Sequence, residues 1–99
     1  MWRNVTTVKC EKSHMKKLRN LVGPAVRKYR YQQELSQAEL AAKCQLLGWN
    51  VSRDIIAAIE GQVRCVTDVE LVGLATVLGT DAVRLLPDRK IVFNLLSGG

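Results

Sequence analysis

Two helix starts lie sixteen residues apart in the middle of the chain, at Ser36 and Ser52, and they limit the fold more than any other feature. The first reads Ser36-Gln37-Ala38-Glu39. A serine hydroxyl at such a position accepts a bond from an orphan backbone N–H, and a glutamate three residues on reaches back to the serine's own N–H. Leu35 and Leu40 stand where a hydrophobic staple closes over that start, and Ala41, Ala42 and Lys43 continue it with fair to strong helix formers. The second start reads Val51-Ser52-Arg53-Asp54-Ile55-Ile56, with Val51 and Ile56 as its staple. Ile56 and Ile59, three apart, share one buried face, and Gly61 is expected to stop the helix in the left-handed conformation. From Leu35 to Arg64 the expectation is two short helices and a turn, the second helix anchored from behind and presented outward.

The flanks extend this into a small helical unit. Gly23-Pro24 opens a helix, because proline's missing N–H is no loss in a first turn. Val22, Val26 and Tyr29 recur on its inner face, with Arg27 and Lys28 toward water or phosphate. Cys44 to Asn50, CQLLGWN, is longer than a tight inter-helix turn. It predicts a second helix ending near Gly48, with Leu46 or Leu47 packed inside and Trp49 covering the junction. Trp49 as a partner-binding anchor is the alternative. Thr67 and Glu70 repeat the capping box, Val66 and Leu71 the staple. The fourth helix is expected to bury Leu71, Leu74, Ala75 and Leu78 and stop at Gly79. Thr80 caps a short fifth helix carrying Val83, Leu85 and Leu86, and Pro87 ends it. The fold class is therefore all-α, a compact five-helix unit over residues 21–87. Residues 1–20 form a basic extension and residues 88–99 an apolar tail, a strand or short helix that meets a second subunit or folds back.

The motifs Leu35-Ser36-Gln37-Ala38-Glu39-Leu40-Ala41, Ile59-Glu60-Gly61 and Leu71-Val72-Gly73-Leu74-Ala75-Thr76-Val77-Leu78-Gly79 resemble the helix-turn-helix family of phage Cro and lambda-type repressors, the xenobiotic-response-element regulators. The likeness spans about Leu21 to Leu86. It implies a recognition helix from Ser52 to Glu60 lying in the major groove of double-stranded DNA. Positions that face bases then fall on Arg53, Asp54, Ile55 and Ala58. An arginine bridges guanine O6 and N7, and small apolar groups touch a thymine methyl. Asp54 departs from the pattern, since a carboxylate near phosphates is repelled unless it accepts from cytosine N4 or is neutralised by Arg53; it also suits the positive end of the helix dipole. Phosphate contacts fall on Gln37, Lys43, Ser52 and Arg64, with Lys16 and Lys17 in the amino-terminal extension. The resemblance also implies a structural ion pair between Arg30 and Glu60.

Charge agrees with a polyanionic partner. The net charge is +6, and residues 1–30 hold nine Lys/Arg against the single acid Glu11. The remaining residues carry six bases and eight acids. A basic stretch of this kind steers toward nucleic acid or is simply solvated. Cys10, Cys44 and Cys65 form no C-x-x-C pair, and Cys10 with His14 falls short of a metal site, so no metal and no cofactor is expected. His14, the one histidine, lies outside the helical unit, and neither a nucleophile–base set nor a phosphate-cradling glycine loop is present, which argues against an enzyme. No apolar run reaches the ~18 residues of a membrane span, and residues 1–15 lack the apolar segment of a secretory signal, so a cytoplasmic protein without membrane contact is expected. Three functions remain: a repressor binding paired half-sites as a homodimer through its tail; an antitoxin whose apolar tail binds a toxin protein; and a protein-interaction module on the same scaffold without DNA binding, which Asp54, Ala57 and Ala58 favour.

Overall fold

A computed structural model describes residues 18–97, and among them the chain is all-helical: α1 (Gly23–Gln32), α2 (Gln37–Leu46), α3 (Arg53–Glu60), α4 (Asp68–Leu78), α5 (Ala82–Leu85) and α6 (Arg89–Leu96). Lys16 and Lys17, with Cys10 and His14, lie outside the described residues. Each of the three capped starts is made by its own side chains. The hydroxyls of Ser36, Ser52 and Thr67 accept from the backbone N–H three residues on, and Glu39 and Glu70 close reciprocal boxes. No helix among the described residues is long and apolar enough to cross a membrane.

One core joins α1 to α5. Val22, capping the first helix, and Val26 within it meet Leu40, Ala41 and Cys44 of the second, Ile56 and Ile59 of the third, Leu74, Ala75 and Leu78 of the fourth, and Leu85. Burial removes the Cys44 thiol from water and pushes its pKa up, so it packs as a small apolar residue.

α1 and α3 approach so closely that Gly23 has no room for a side chain. A Cβ there would lie 2.8 Å from the carbonyl oxygen of Glu60 and closer still to that of Ile59. Asn20, buried just before α1, completes the joint. Its amide donates to the carbonyls of Ile59 (3.1 Å) and Arg64 (2.7 Å), and its oxygen accepts from the N–H groups of Val22 and Gly23. One side chain thus satisfies the open start of α1 and the open end of α3, two sets of backbone groups that a helix cannot satisfy itself.

Four local expectations differ from the structure. α2 stops at Leu46, and neither Leu46 nor Leu47 packs inside; they are 87% and 54% exposed. The cause is Gly48, left-handed at φ +97°, which swings the chain so that Trp49 packs against the core and Val51 enters it. Gln45 ties the turn by donating to the Val51 carbonyl. At the end of α3 the left-handed residue is Gln62 (φ 63°) and not Gly61 (φ −82°); the Gln62 amide donates to the Asn20 carbonyl and holds that conformation. Asp81, not Thr80, occupies the position before α5, where no side-chain cap forms, and of Val83, Leu85 and Leu86 only Leu85 is buried. Leu71 is half-buried against the core rather than inside it. The tail is the sixth helix, α6. It has no buried residue, and Ile91, Phe93, Leu95 and Leu96 are all exposed.

Candidate nucleic-acid interface

α3 has two unlike faces. Ile56 and Ile59 are out of contact with solvent, and Val51 behind the cap is equally buried. The opposite side begins at Ser52, whose hydroxyl accepts from the Ile55 N–H at 3.3 Å and keeps its own proton free to donate. Arg53 and Asp54 follow, with side chains 61% and 89% exposed, joined by a 3.0 Å ion pair. Asp54 is thus the acid of the helix's first turn and carries a cation at its side. Ala57 and Ala58 are half-exposed. Ile55 is less available than Arg53: it is half-buried and packs against the core. Of the four residues placed at base-facing positions, two project freely, one offers a small methyl surface, and one is divided between core and solvent.

The residues expected at phosphates differ in how far their donors are already engaged. Lys43 is exposed in the last turn of α2. Gln37 is half-buried, and its amide donates to Glu60 Oε1 at 3.0 Å. Arg64 is largely spoken for: its guanidinium meets the two carboxylate oxygens of Glu70 at 3.1 and 3.3 Å and also donates to the Cys65 carbonyl. Burial pushes the Glu70 carboxyl up, but the bonds from Arg64 and from the Thr67 N–H outweigh it and hold it below the usual carboxylate range. The pair locks the α3–α4 loop onto the first turn of α4 and leaves Arg64 few free donors.

Arg30 and Glu60 form the polar centre of the domain. Glu60, the last residue of α3, has a side chain fully withdrawn from solvent. Arg30 donates through Nε to Oε2 at 2.6 Å and through Nη to Oε1 at 2.9 Å, a two-pronged match of fork to carboxylate. Its other terminal nitrogen donates to the Leu35 carbonyl, just before the α2 start. Burial pushes Glu60 up, yet the bonds from Arg30 and Gln37 prevail and hold its carboxyl below the usual range. The Glu60 hydrogen bond likewise raises Arg30 further above its ordinary value. One carboxylate therefore sets α1, the start of α2 and the end of α3 against each other, which fixes the direction in which α3 is presented.

Sequence reasoning did not single out Asn20, the close approach of α3 at Gly23, or the pairing of a second guanidinium, that of Arg27, with Glu60 at 3.5 Å. Asn20 had a signal: an asparagine three residues before Gly-Pro caps locally. Arg27 had one too, standing three before Arg30 on the same helix face.

No family model and no curated protein matches the chain. Solved structures do. The crystal structure of hypothetical transcription factor NHTF from Neisseria superposes with a TM-score of 0.62 at 25% identity, over 90% of this chain and 97% of that one. The DNA-binding domain of BldD superposes with a TM-score of 0.60 at 28% identity, over 74% of this chain and all of that domain. The chain thus shares its all-helical fold with a hypothetical transcription factor and with a DNA-binding domain, and presents one face of an α3 held by the Arg30–Glu60 pair.

Proposed function

We propose that this protein is a sequence-specific DNA-binding transcriptional regulator of the Cro and lambda-repressor kind, a repressor that inserts α3 into the major groove. The observation that carries the reading is the outward projection of Arg53 and Asp54 from a helix whose other side is anchored by Ile56, Ile59 and Glu60. The likeness to NHTF and to the DNA-binding domain of BldD supports it. Arg53 reads a guanine, Asp54 accepts from a cytosine amine or screens Arg53, and Ala58 with the free edge of Ile55 touches a thymine methyl. Gln37, Lys43 and Ser52 hold the backbone, Arg64 contributes less because of Glu70, and Lys16 and Lys17 add charge from residues 1–20. Residues 21–87 form the DNA-binding unit. No catalytic residue and no cofactor enters this mechanism.

A salt titration against random-sequence duplex tests the reading. A DNA-binding protein that neutralises several phosphates loses affinity steeply as salt rises, linearly on a log–log plot. Absence of binding even at low salt would favour the protein-interaction module. A second function, binding another protein, is favoured by α6, an eight-residue helix with four exposed apolar side chains. Helices this short are marginal in water without a packing partner. The partner proposed first is a second copy, giving a homodimer that spans paired half-sites; a toxin protein is the alternative.

A further inference from the structure

Glu60 is a single carboxylate facing two guanidiniums. Arg30 meets both of its oxygens and is itself buried, so that pair is already neutral. Arg27 brings a further positive charge. Its Nε stands 3.5 Å from Glu60 Oε1, its side chain is 53% exposed, and among the described residues it makes no other ion pair. A guanidinium has five N–H donors in a planar fork; with Nε–H turned to Glu60, the four on the terminal nitrogens remain. Gln37 approaches the same Oε1 at 3.0 Å and spends one of its two amide hydrogens there. Because both heads converge on one oxygen, Arg27 Nε and Gln37 Nε2 lie no more than 6.5 Å apart, the sum of the two contacts. Heads held this close bring the terminal nitrogens of the arginine fork and the second amide hydrogen of Gln37 to one neighbourhood, and such a fork suits phosphate geometry.

We propose that Arg27 and Gln37 form a two-donor seat for one phosphodiester of the DNA backbone, with Glu60 as the buried positioning residue that aims both heads. The seat rests on the DNA-binding reading above and adds to it an anchor on α1. Arg30 is too withdrawn to serve, and its donors are engaged with Glu60 and Leu35. The carboxylate that orients the seat does not cancel it, because Arg30 has already balanced its charge. The register of α3 in the groove is then set from α1 and α2 together.

The test compares the wild-type chain, Arg27→Ala and Arg27→Lys on several duplex sequences across a range of salt. Arg27→Ala is expected to weaken every sequence alike, several-fold, and to make the log–log salt slope shallower by about one. Arg27→Lys keeps the charge and most of the slope. The melting temperature of Arg27→Ala should stay near that of the wild type, since a long, half-exposed ion pair contributes little to stability. An unchanged salt slope in Arg27→Ala, or a loss confined to particular sequences, overturns the seat while leaving the reading of α3 intact. A wild-type chain that binds no duplex at low salt defeats that reading itself, and the seat with it.

Discussion

Removing Glu60 strands Arg30 out of water with no carboxylate beside it. Glu60→Ala is expected to destabilise the fold by about 3–5 kcal/mol, the usual cost of an uncompensated buried charge. A denaturant midpoint shift equivalent to less than about 1 kcal/mol would contradict the geometry. The pair also fixes a pH response. Folding holds the Glu60 carboxyl below its ordinary value of 4.5, so its contribution is complete above that pH. It is lost as the pH falls from there through the lower folded value. Stability should decline on acidification in that window, and the decline should be shallower in Glu60→Gln, which titrates no proton at this position. Gly23 is the other residue on which α3 depends. Gly23→Ala forces carbonyls of Ile59 and Glu60 aside and is expected to cost about 1–3 kcal/mol. The sequence could not announce this, because the obstacle comes from residues far along the chain. Arg30 and Glu60 were assignable only through the family resemblance, as charge alone does not reveal burial.

At the scale of elements, the helix starts were the most legible part of the chain. A cap and its N–H partner lie three residues apart, so Ser36, Ser52 and Thr67 declare themselves locally. Ser52→Ala is expected to cost about 1 kcal/mol, seen as a lower denaturation midpoint, and to fray the very turn that carries Arg53 and Asp54. The ends of elements were less legible. Which of Leu46, Leu47 and Trp49 meets the core depends on where the chain turns left-handed, and that is decided at Gly48 by the packing of Trp49 and Val51. Likewise Gly61 looked like the natural left-handed residue, but the Asn20 carbonyl holds Gln62 there instead. Among the described residues, those expected to meet DNA could be named from the sequence as positions on α2, α3 and the loop after it. What each is left free to do could not, because the commitment of Arg64 to Glu70 and of Gln37 to Glu60 is visible only once the helices are packed.

For the whole molecule, charge and the sixth helix describe what lies beyond one domain. The net +6 is concentrated before residue 31, whereas α3 itself presents one base and one acid. Affinity should therefore be mainly electrostatic and strongly salt-dependent, with modest base readout. α6 has no fully buried residue, so Phe93→Asp combined with Leu95→Asp is expected to leave α1 to α5 folded, with most of the helical circular dichroism retained. If α6 joins two copies, light scattering will report a smaller species than for the wild type. An unchanged mass would remove the tail from any dimer contact. The central claim remains that α3 reads bases through Arg53. It is tested most directly by measuring the affinity of Arg53→Ala for the preferred duplex and for that duplex with single base-pair changes. The account predicts that discrimination at one base pair collapses by about 1–3 kcal/mol while the other positions keep theirs. A sequence preference identical to the wild type would contradict it.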